Sequence, residues 1–232
     1  RWFLKKIESD KGYFEEKGIR AIARKKNSVD MLANANIKID IVVGETGDEE
    51  IVKKAMKDVD VVFHNAGIHT SRTVAKIAIE QNVKWLILVH TAGIYSKYKA
   101  AGEEYRQTEK YIEELVKGKE TKITIIRPTM VFGSINDNNM IVFIRMVERM
   151  RIFPVVSGGK YEIQPICEKD LGEAYYAIIK NEAITKGKNY ILSGKKPIEI
   201  IEVFREIARI LKVKNKFVSV PFPIAYSGAF LV

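Results

Sequence analysis

Short apolar runs alternate with longer amphipathic segments along most of the chain. The runs are nearly continuous stretches of β-branched and other apolar residues, which is typical of strands that helices cover on both faces. They lie at residues 19–24, 39–43, 59–64, 85–90 and 123–127. Segments of helical period separate them, at about residues 1–9, 48–57, 71–81 and 97–117. The alternation predicts βαβ units, and therefore an α/β fold with a doubly wound parallel sheet.

The pattern changes after Gly133. It predicts helices near residues 139–150, 169–180 and 197–211, an irregular stretch at 153–160 and one more strand at 189–192. Pro221 and Pro223 interrupt the pattern after the last of these helices. We expect the strand at 189–192 to return to the main sheet and the rest of this region to form a smaller cap.

Both ends of the chain are abrupt. Residues 1–7 have the pattern of a helix that follows a first strand and a glycine loop, but neither is present in the sequence. In a doubly wound sheet that strand is central, and a soluble protein without it would expose strand edges. We therefore expect the natural protein to carry this strand and loop before Arg1 and to continue beyond the apolar end at Val232.

The composition indicates an ordinary globular protein. Of the 232 residues, 47% are hydrophobic and 29% are charged, which argues against disorder, and the apolar runs are too short to span a membrane. The one cysteine, Cys167, cannot form an internal disulfide, and no Cys/His cluster has the spacing of a metal site. A reducing compartment, the cytoplasm, is expected.

The net charge of +10 raises the question of nucleic-acid binding. The lysines are, however, spread along helices together with glutamates, as in Glu49 and Glu50 with Lys53 and Lys54. No basic stripe with interleaved aromatic residues is evident, so we expect solvated helix faces and no nucleic-acid partner.

Several motifs follow one another in an order that is typical of one superfamily. They are VDVVFHNAG at 59–67, IIRPTMVFG at 125–133, QPI at 164–166 and YILSG at 190–194. In order and spacing they resemble the extended short-chain dehydrogenases/reductases, the NAD-dependent epimerase/dehydratase-like group. The segments after Gly67 and after the fifth strand are short, which is similar to the atypical branch with NmrA-like regulators and a complex-I-associated subunit.

The resemblance implies a Rossmann-like fold with a small C-terminal substrate-binding cap. It implies a dinucleotide-binding domain over residues 1–132, with return segments at about 164–194, and a smaller substrate-binding region over 133–163 and 195–232. The implied activity is hydride transfer to or from a carbonyl or alcohol of a small-molecule substrate, for which a sugar nucleotide is one candidate. The alternative is a non-catalytic sensor or scaffold that only binds the dinucleotide. A monomer or homodimer is expected, with no membrane partner.

The catalytic residues that the resemblance implies are Tyr95, Lys99 and Thr91. Tyr95 and Lys99 have i, i+4 spacing, which on a helix would place a phenol and an ammonium on one face, where the ammonium stabilises a phenolate. Thr91 has the position of a hydroxyl that binds the substrate oxygen. The pair Tyr105 and Lys110 has i, i+5 spacing and would converge less well.

Other interpretations of these residues stay open. Tyr95 also resembles a tyrosine at the end of the fifth strand that only packs, in which case Tyr98 is the candidate proton donor. The Thr91 hydroxyl could simply cap the end of its strand.

Cofactor contacts are expected after successive strands. Cations at Arg24 and Lys25 favour the 2′-phosphate of NADP over the ribose hydroxyls of NAD, although a plain basic turn before an Asn27 or Ser28 helix cap is the alternative. The further cofactor-binding residues that the resemblance implies are Glu45 and Thr46 at the adenine, Asn65, Ala66 and Gly67 at the ribose, and Lys99 and Pro128 at the nicotinamide. Substrate contacts are expected from residues 136–140 and 154–161 and from the C-terminal segment.

Overall fold

The computed structural model describes residues 1–97, 99–134, 137 and 139–229. Its strands are β1 (Arg20–Ala23), β2 (Asp40–Val43), β3 (Val61–His64), β4 (Trp85–Val89), β5 (Lys122–Pro128), β6 (Val131–Phe132), β7 (Ile152–Val156), β8 (Glu162–Ile163), β9 (Ile166–Cys167), β10 (Asn189–Leu192), β11 (Ile198–Glu199) and β12 (Lys216–Val220). Its helices are α1 (Trp2–Ser9), α2 (Lys11–Lys17), α3 (Lys26–Ala33), α4 (Glu49–Met56), α5 (Ser71–Glu80), α6 (Lys99–Leu115), α7 (Met140–Arg149), α8 (Glu168–Lys180), α9 (Glu182–Thr185), α10 (Ile200–Leu211) and α11 (Phe222–Ala229). Short 3₁₀ turns lie at Ile68–Thr70, Ala92–Tyr95 and Ser157–Gly159.

The chain forms two compact units. The first unit consists of Arg1–Thr129 and Lys169–Leu192, and the second of Met130–Glu168 and Ser193–Val232. The strands of the first unit are parallel, in a four-stranded sheet of order β10-β5-β4-β3 and a two-stranded sheet of β1 and β2. This confirms the predicted α/β fold with a parallel sheet, and β10 pairs with β5 as expected.

One face of the first unit's sheet packs against α4, α5 and α6. β4 is buried along its whole length, as its unbroken apolar run predicts. A buried cluster joins apolar residues of these three helices to the strands: Val52, Met56, Val74, Ile77, Ala78, Leu86, Leu88 and Ile112.

The opposite face packs against α1 and α8. Val62 of β3 contacts the α5 side, and the next residue, Phe63, contacts the rings of Phe3 in α1 and Tyr175 in α8 at centroid distances of 4.8 and 5.0 Å. Successive residues of a strand face opposite sides, so β3 is covered on both. α1 and α8 approach closely at Gly172, where an added Cβ would lie 2.8 Å from the backbone nitrogen of Phe3.

The second unit has a small core of its own. β7 and β12 pair in parallel, and α7 and α10 cover them through a buried cluster that includes Val147, Phe153, Phe204 and Ile207. β6 pairs with β9 and β8 with β11. Among the described residues, no helix combines the length and apolar character needed to cross a membrane.

One prediction for this region is wrong. The stretch at 153–160 was expected to be irregular, but β7 covers residues 152–156. Pro154 is compatible with this strand because β7 has one neighbour, β12, in the described sheet, and proline is tolerated at a sheet edge. Pro221 lies between β12 and α11, and Pro223 is in the first turn of α11, where a helix tolerates proline.

Candidate functional site

The turn after β3 carries three of the predicted cofactor-binding residues. Asn65, Ala66 and Gly67 are all exposed. Gly67 has a φ of +107°, a conformation that residues with a Cβ rarely adopt. Its carbonyl oxygen accepts a hydrogen bond from Nε2 of His64 at 3.0 Å, so the turn is fixed to the buried end of β3.

His64 is neutral in the folded protein at neutral pH. Burial lowers its pKa from 6.5 to about 4; the hydrogen bond to Gly67 opposes this shift, and the nearby His90 adds to it. Because a carbonyl oxygen only accepts, the single proton of the imidazole lies on Nε2.

Thr46, three residues after β2, is close to the same turn. Its Oγ1 is 3.1 Å from Oγ1 of Thr70, and Thr70 Oγ1 donates to the Gly67 carbonyl oxygen at 3.3 Å. The structure therefore brings together two predicted cofactor segments, the one after β2 and the one after β3.

The basic residues after β1 are exposed, as a role at the cofactor requires. Arg24 forms an ion pair with Glu45, Nη1 to Oε1, at 3.5 Å. Lys25 is the residue that precedes α3, so the helix begins before Asn27 and Ser28 and neither of them is its cap.

Thr91 caps the 3₁₀ turn that follows β4. Its Oγ1 accepts a hydrogen bond from the backbone N–H of Gly93 at 3.0 Å, which is the capping interpretation left open by the sequence. A hydroxyl that accepts this bond keeps its own hydrogen for donation to another group.

Tyr95 ends the same turn. Its side chain is 58% exposed, and the ring centre lies 5.9 Å from Cζ of Arg127, the residue before Pro128 in β5. Tyr95 is therefore neither packed into the core nor remote from β5. Pro128 itself is buried at the end of β5.

Tyr95 and Lys99 do not lie on one helix, so the expected helical i, i+4 geometry is wrong. Ser96 follows the 3₁₀ turn with ψ 133°, an extended conformation, and α6 begins only at Lys99. The side chain of Lys99 is not among those described, and Tyr98 lies outside the described residues. The roles of these residues stay predictions.

A buried polar network lies beneath these segments, and the sequence reasoning missed it. His90 Nδ1 is 2.9 Å from Oε1 of Glu109, and His90 Nε2 is 3.1 Å from Oγ of Ser71. Arg127 Nε donates to both carboxylate oxygens of Glu109, at 2.9 and 3.2 Å. The side chains of His90, Glu109 and Arg127 are 0%, 5% and 7% exposed.

The opposite charges of Glu109 and Arg127 favour the ionised form of each other. Burial alone would raise the pKa of Glu109, but hydrogen bonds from His90 and Arg127 and the charge of Arg127 outweigh it, and the pKa lies below its usual value. Burial likewise opposes the charge of Arg127, but hydrogen bonding and attraction to Glu109 raise its pKa above the usual value. The sequence signal was present: His90 and Arg127 end apolar strands, and Glu109 lies among apolar positions of α6.

A match to a sequence family shows which family the chain belongs to. The sequence model of a family described as NAD(P)H-binding matches residues 14–144, more than half of the chain. The chain belongs to this NAD(P)H-binding family. The matched range contains β1 to β5 and every predicted catalytic and cofactor-binding residue.

This NAD(P)H-binding chain is also similar to a mitochondrial NADH dehydrogenase subunit. Over 117 residues it is 27% identical to NADH dehydrogenase (ubiquinone) 1 alpha subcomplex subunit 9, mitochondrial, of Arabidopsis thaliana. The match covers 50% of this chain but only 29% of that subunit.

Solved structures share the fold. UDP-glucuronic acid 4-epimerase from Bacillus cereus, in complex with NAD, has a TM-score of 0.72 at 14% identity, over 92% of this chain and 83% of that one. The NADPH-dependent quinone oxidoreductase QOR2 from Escherichia coli, complexed with NADPH, has a TM-score of 0.68 at 16% identity, over 94% and 74%. The family and fold confirm the resemblance to extended short-chain dehydrogenases/reductases.

Proposed function

We propose that this NAD(P)H-binding protein is an oxidoreductase or epimerase/dehydratase-like enzyme that prefers NADP and acts on a carbonyl or alcohol substrate, with a sugar nucleotide as one candidate. The observation that carries the proposal is the exposed phenol of Tyr95, which ends the turn capped by Thr91 and whose ring centre lies 5.9 Å from Cζ of Arg127 in β5. A proton donor at the carboxyl ends of parallel strands is where this chemistry needs one.

Each residue has a distinct role in the proposal. When bound, the nicotinamide supplies or accepts the hydride. Tyr95 donates a proton to the substrate oxygen during reduction and takes it back during oxidation. Thr91 donates its free hydroxyl hydrogen to the same oxygen. Lys99 binds the nicotinamide ribose and stabilises the phenolate of Tyr95.

The preference for NADP rests on the cations after β1. Arg24 and Lys25 are exposed at the end of a parallel strand, where a 2′-phosphate would meet them. Glu45, Thr46, Asn65, Ala66, Gly67 and Pro128 complete the proposed cofactor site. Cys167 as the one cysteine favours the cytoplasm, and we expect a monomer or homodimer.

A second candidate is a dinucleotide-binding module without turnover. It is favoured by the similarity to an NADH dehydrogenase subunit and by the separation of Tyr95 and Lys99 into a turn and a helix. In this case bound NAD(P)H would stabilise the protein or be sensed by it. Tyr95 would then have no chemical role.

One experiment separates the two candidates. The full protein is tested for reduction of a carbonyl panel that includes quinones and keto-sugar nucleotides, while NADPH and NADH binding is measured in parallel by fluorescence. Turnover that Tyr95→Phe abolishes supports the enzyme. Tight binding without turnover supports the module, and absence of binding contradicts both.

A further inference from the structure

The guanidinium of Arg127 lies where β5 meets the turn that carries Tyr95. Arg127 is only 6% exposed, yet its Cζ is 5.9 Å from the centre of the exposed Tyr95 ring. A guanidinium within about 6 Å of an aromatic ring is attracted to it, and more strongly where water is excluded. We propose that Arg127 is a positioning residue that holds the Tyr95 phenol in a fixed orientation for proton transfer.

Glu109 fixes the orientation of that guanidinium. Nε of Arg127 donates to Oε1 and Oε2 at 2.9 and 3.2 Å, and Nη2 also donates to Oε2. Several charge-assisted hydrogen bonds to one carboxylate restrict a planar guanidinium in both position and rotation. The guanidinium near the Tyr95 ring is therefore held in one position.

His90 also binds this carboxylate, and Ser71 in turn binds His90. His90 Nδ1 donates to Oε1 of Glu109 at 2.9 Å, and its Nε2 lies 3.1 Å from Oγ of Ser71. Ser71 opens α5, His90 follows β4, Glu109 is on α6 and Arg127 is on β5. The contact to Tyr95 is thus tied to four elements, and a buried network whose members are all paired is rigid.

Stability alone gives no reason for these charges. A buried ion pair often contributes no more than apolar residues of the same volume, because desolvation offsets the attraction. Arg127 and Glu109 do something that apolar residues cannot, which is to hold an exposed phenol over a fixed charge. The kinetic test below rests on the proposed function, whereas the position of the ring can be measured without turnover.

The position of Tyr95 can be followed by ¹⁹F NMR on protein that carries 3-fluorotyrosine, with its signal assigned by loss in Tyr95→Phe. We expect Arg127→Met to move this signal toward that of the unfolded protein. Arg127→Lys keeps a positive charge and should move it less. Glu109→Gln keeps the shape of the acceptor without its charge and should give a smaller displacement than Arg127→Met.

Thr124→Val is the matched control. Thr124 is fully buried, three residues before Arg127 on β5, and its hydroxyl accepts a hydrogen bond from Trp85 Nε1 and donates one to the Thr185 carbonyl oxygen, both at 2.9 Å. This variant loses buried hydrogen bonds in the same strand and should leave the Tyr95 signal where it was.

The kinetic readout uses a substrate from the carbonyl panel. Arg127→Met should lower kcat about tenfold or more while KM changes less than about twofold, because only the orientation of the proton donor is lost. Arg127→Lys should recover part of kcat, and Thr124→Val should retain the parent value.

The outcomes distinguish the inference from the proposed function. An unchanged Tyr95 signal in Arg127→Met overturns the inference, and so does an equal shift in Thr124→Val. A shifted signal with turnover that Tyr95→Phe does not affect supports the contact and contradicts the proposed role of Tyr95. If Arg127→Met does not fold, Arg127→Lys and Glu109→Gln decide by the same signal.

Discussion

Arg24 and Glu45 form an ion pair across the carboxyl ends of β1 and β2, with Nη1 of Arg24 3.5 Å from Oε1 of Glu45. Their side chains are 58% and 65% exposed, and exposed pairs typically contribute about 0–1 kcal/mol to stability. The same guanidinium is the proposed partner of the NADP 2′-phosphate. Glu45 therefore competes with that phosphate for Arg24.

Replacing Arg24 should erode the preference for NADP. Arg24→Ala is expected to weaken NADPH binding by about 1.5–3 kcal/mol, the range of a hydrogen bond to a charged group, and to leave NADH binding nearly unchanged. Fluorescence titration with both cofactors measures the difference. Arg205→Ala, which breaks an exposed ion pair with Glu202 in the second unit, is the control and should change neither affinity.

Glu45→Gln tests whether Glu45 competes with the 2′-phosphate for Arg24. Removing the carboxylate charge frees Arg24, and the amide keeps the length of the side chain for the proposed adenine contact, so NADPH should bind more tightly than in the parent protein. Equal affinity of the parent for NADPH and NADH would contradict the predicted cofactor preference.

Loss of the Tyr95 hydroxyl should affect turnover and not cofactor binding. Tyr95→Phe removes a proton donor but little apolar area, and general acid–base assistance is commonly worth about 10²–10⁴-fold in rate. Tyr111→Phe is a matched control, since Tyr111 is 40% exposed on α6 with Cζ of Arg72 5.2 Å from its ring centre. Comparable losses in the two variants would contradict a specific role for Tyr95.

The sequence predicted the sheet well because the signal for it is local. β4 is buried at every position, and its run of apolar residues predicts that without knowledge of its neighbours. The partner of a buried charged residue cannot be predicted from such a local pattern. Glu109 and Arg127 are 18 residues apart in the chain, and periodicity cannot reveal that they meet.

The residue at which α6 starts could not be predicted from a local pattern either. Arg106 of α6 donates from Nη1 to the Ile94 carbonyl oxygen at 2.8 Å, and Gly102 lies so close to the 3₁₀ turn that an added Cβ would be 3.2 Å from the Gly93 oxygen. Such tertiary contacts accompany a break between turn and helix that the i, i+4 spacing of Tyr95 and Lys99 does not reveal.

The packing of α1 against α8 should depend on Gly172. An added Cβ would lie 2.8–2.9 Å from backbone atoms of Phe3 and Trp2, which cannot move aside as a flexible side chain can. We expect Gly172→Ala to lower the free energy of unfolding by about 1–3 kcal/mol, the usual cost of overpacking.

A second helical glycine provides the control for this prediction. Gly12 in α2 has no neighbour within 4 Å of an added Cβ, so Gly12→Ala should gain up to about 1 kcal/mol from helix propensity. Urea unfolding measures both variants. A Gly172→Ala protein as stable as the parent would contradict the close approach of the two helices.

Acid should destabilise the protein partly through His64. Its pKa is 6.5 when unfolded and about 4 when folded, chiefly because burial disfavours the charged imidazole. Between these pH values the unfolded chain binds a proton that the folded protein does not bind. The contribution of His64 to the free energy of unfolding is therefore fully present above pH 6.5 and is lost as the pH falls toward 4. The full loss from this one group is about 3 kcal/mol.

His64→Gln should remove this sensitivity, because a glutamine amide can still donate to the Gly67 carbonyl oxygen but does not titrate. Urea unfolding at about pH 7.5 and about pH 5 should give a fall in unfolding free energy that is about 2 kcal/mol smaller in His64→Gln than in the parent. Thr124→Val is the control: it removes a buried hydroxyl whose partners are Trp85 and the Thr185 carbonyl oxygen, and it adds and removes no proton, so it should lower stability equally at both pH values. If His64→Gln loses stability on acidification as steeply as the parent, the imidazole is not buried and neutral, and the turn at Gly67 must be held in another way.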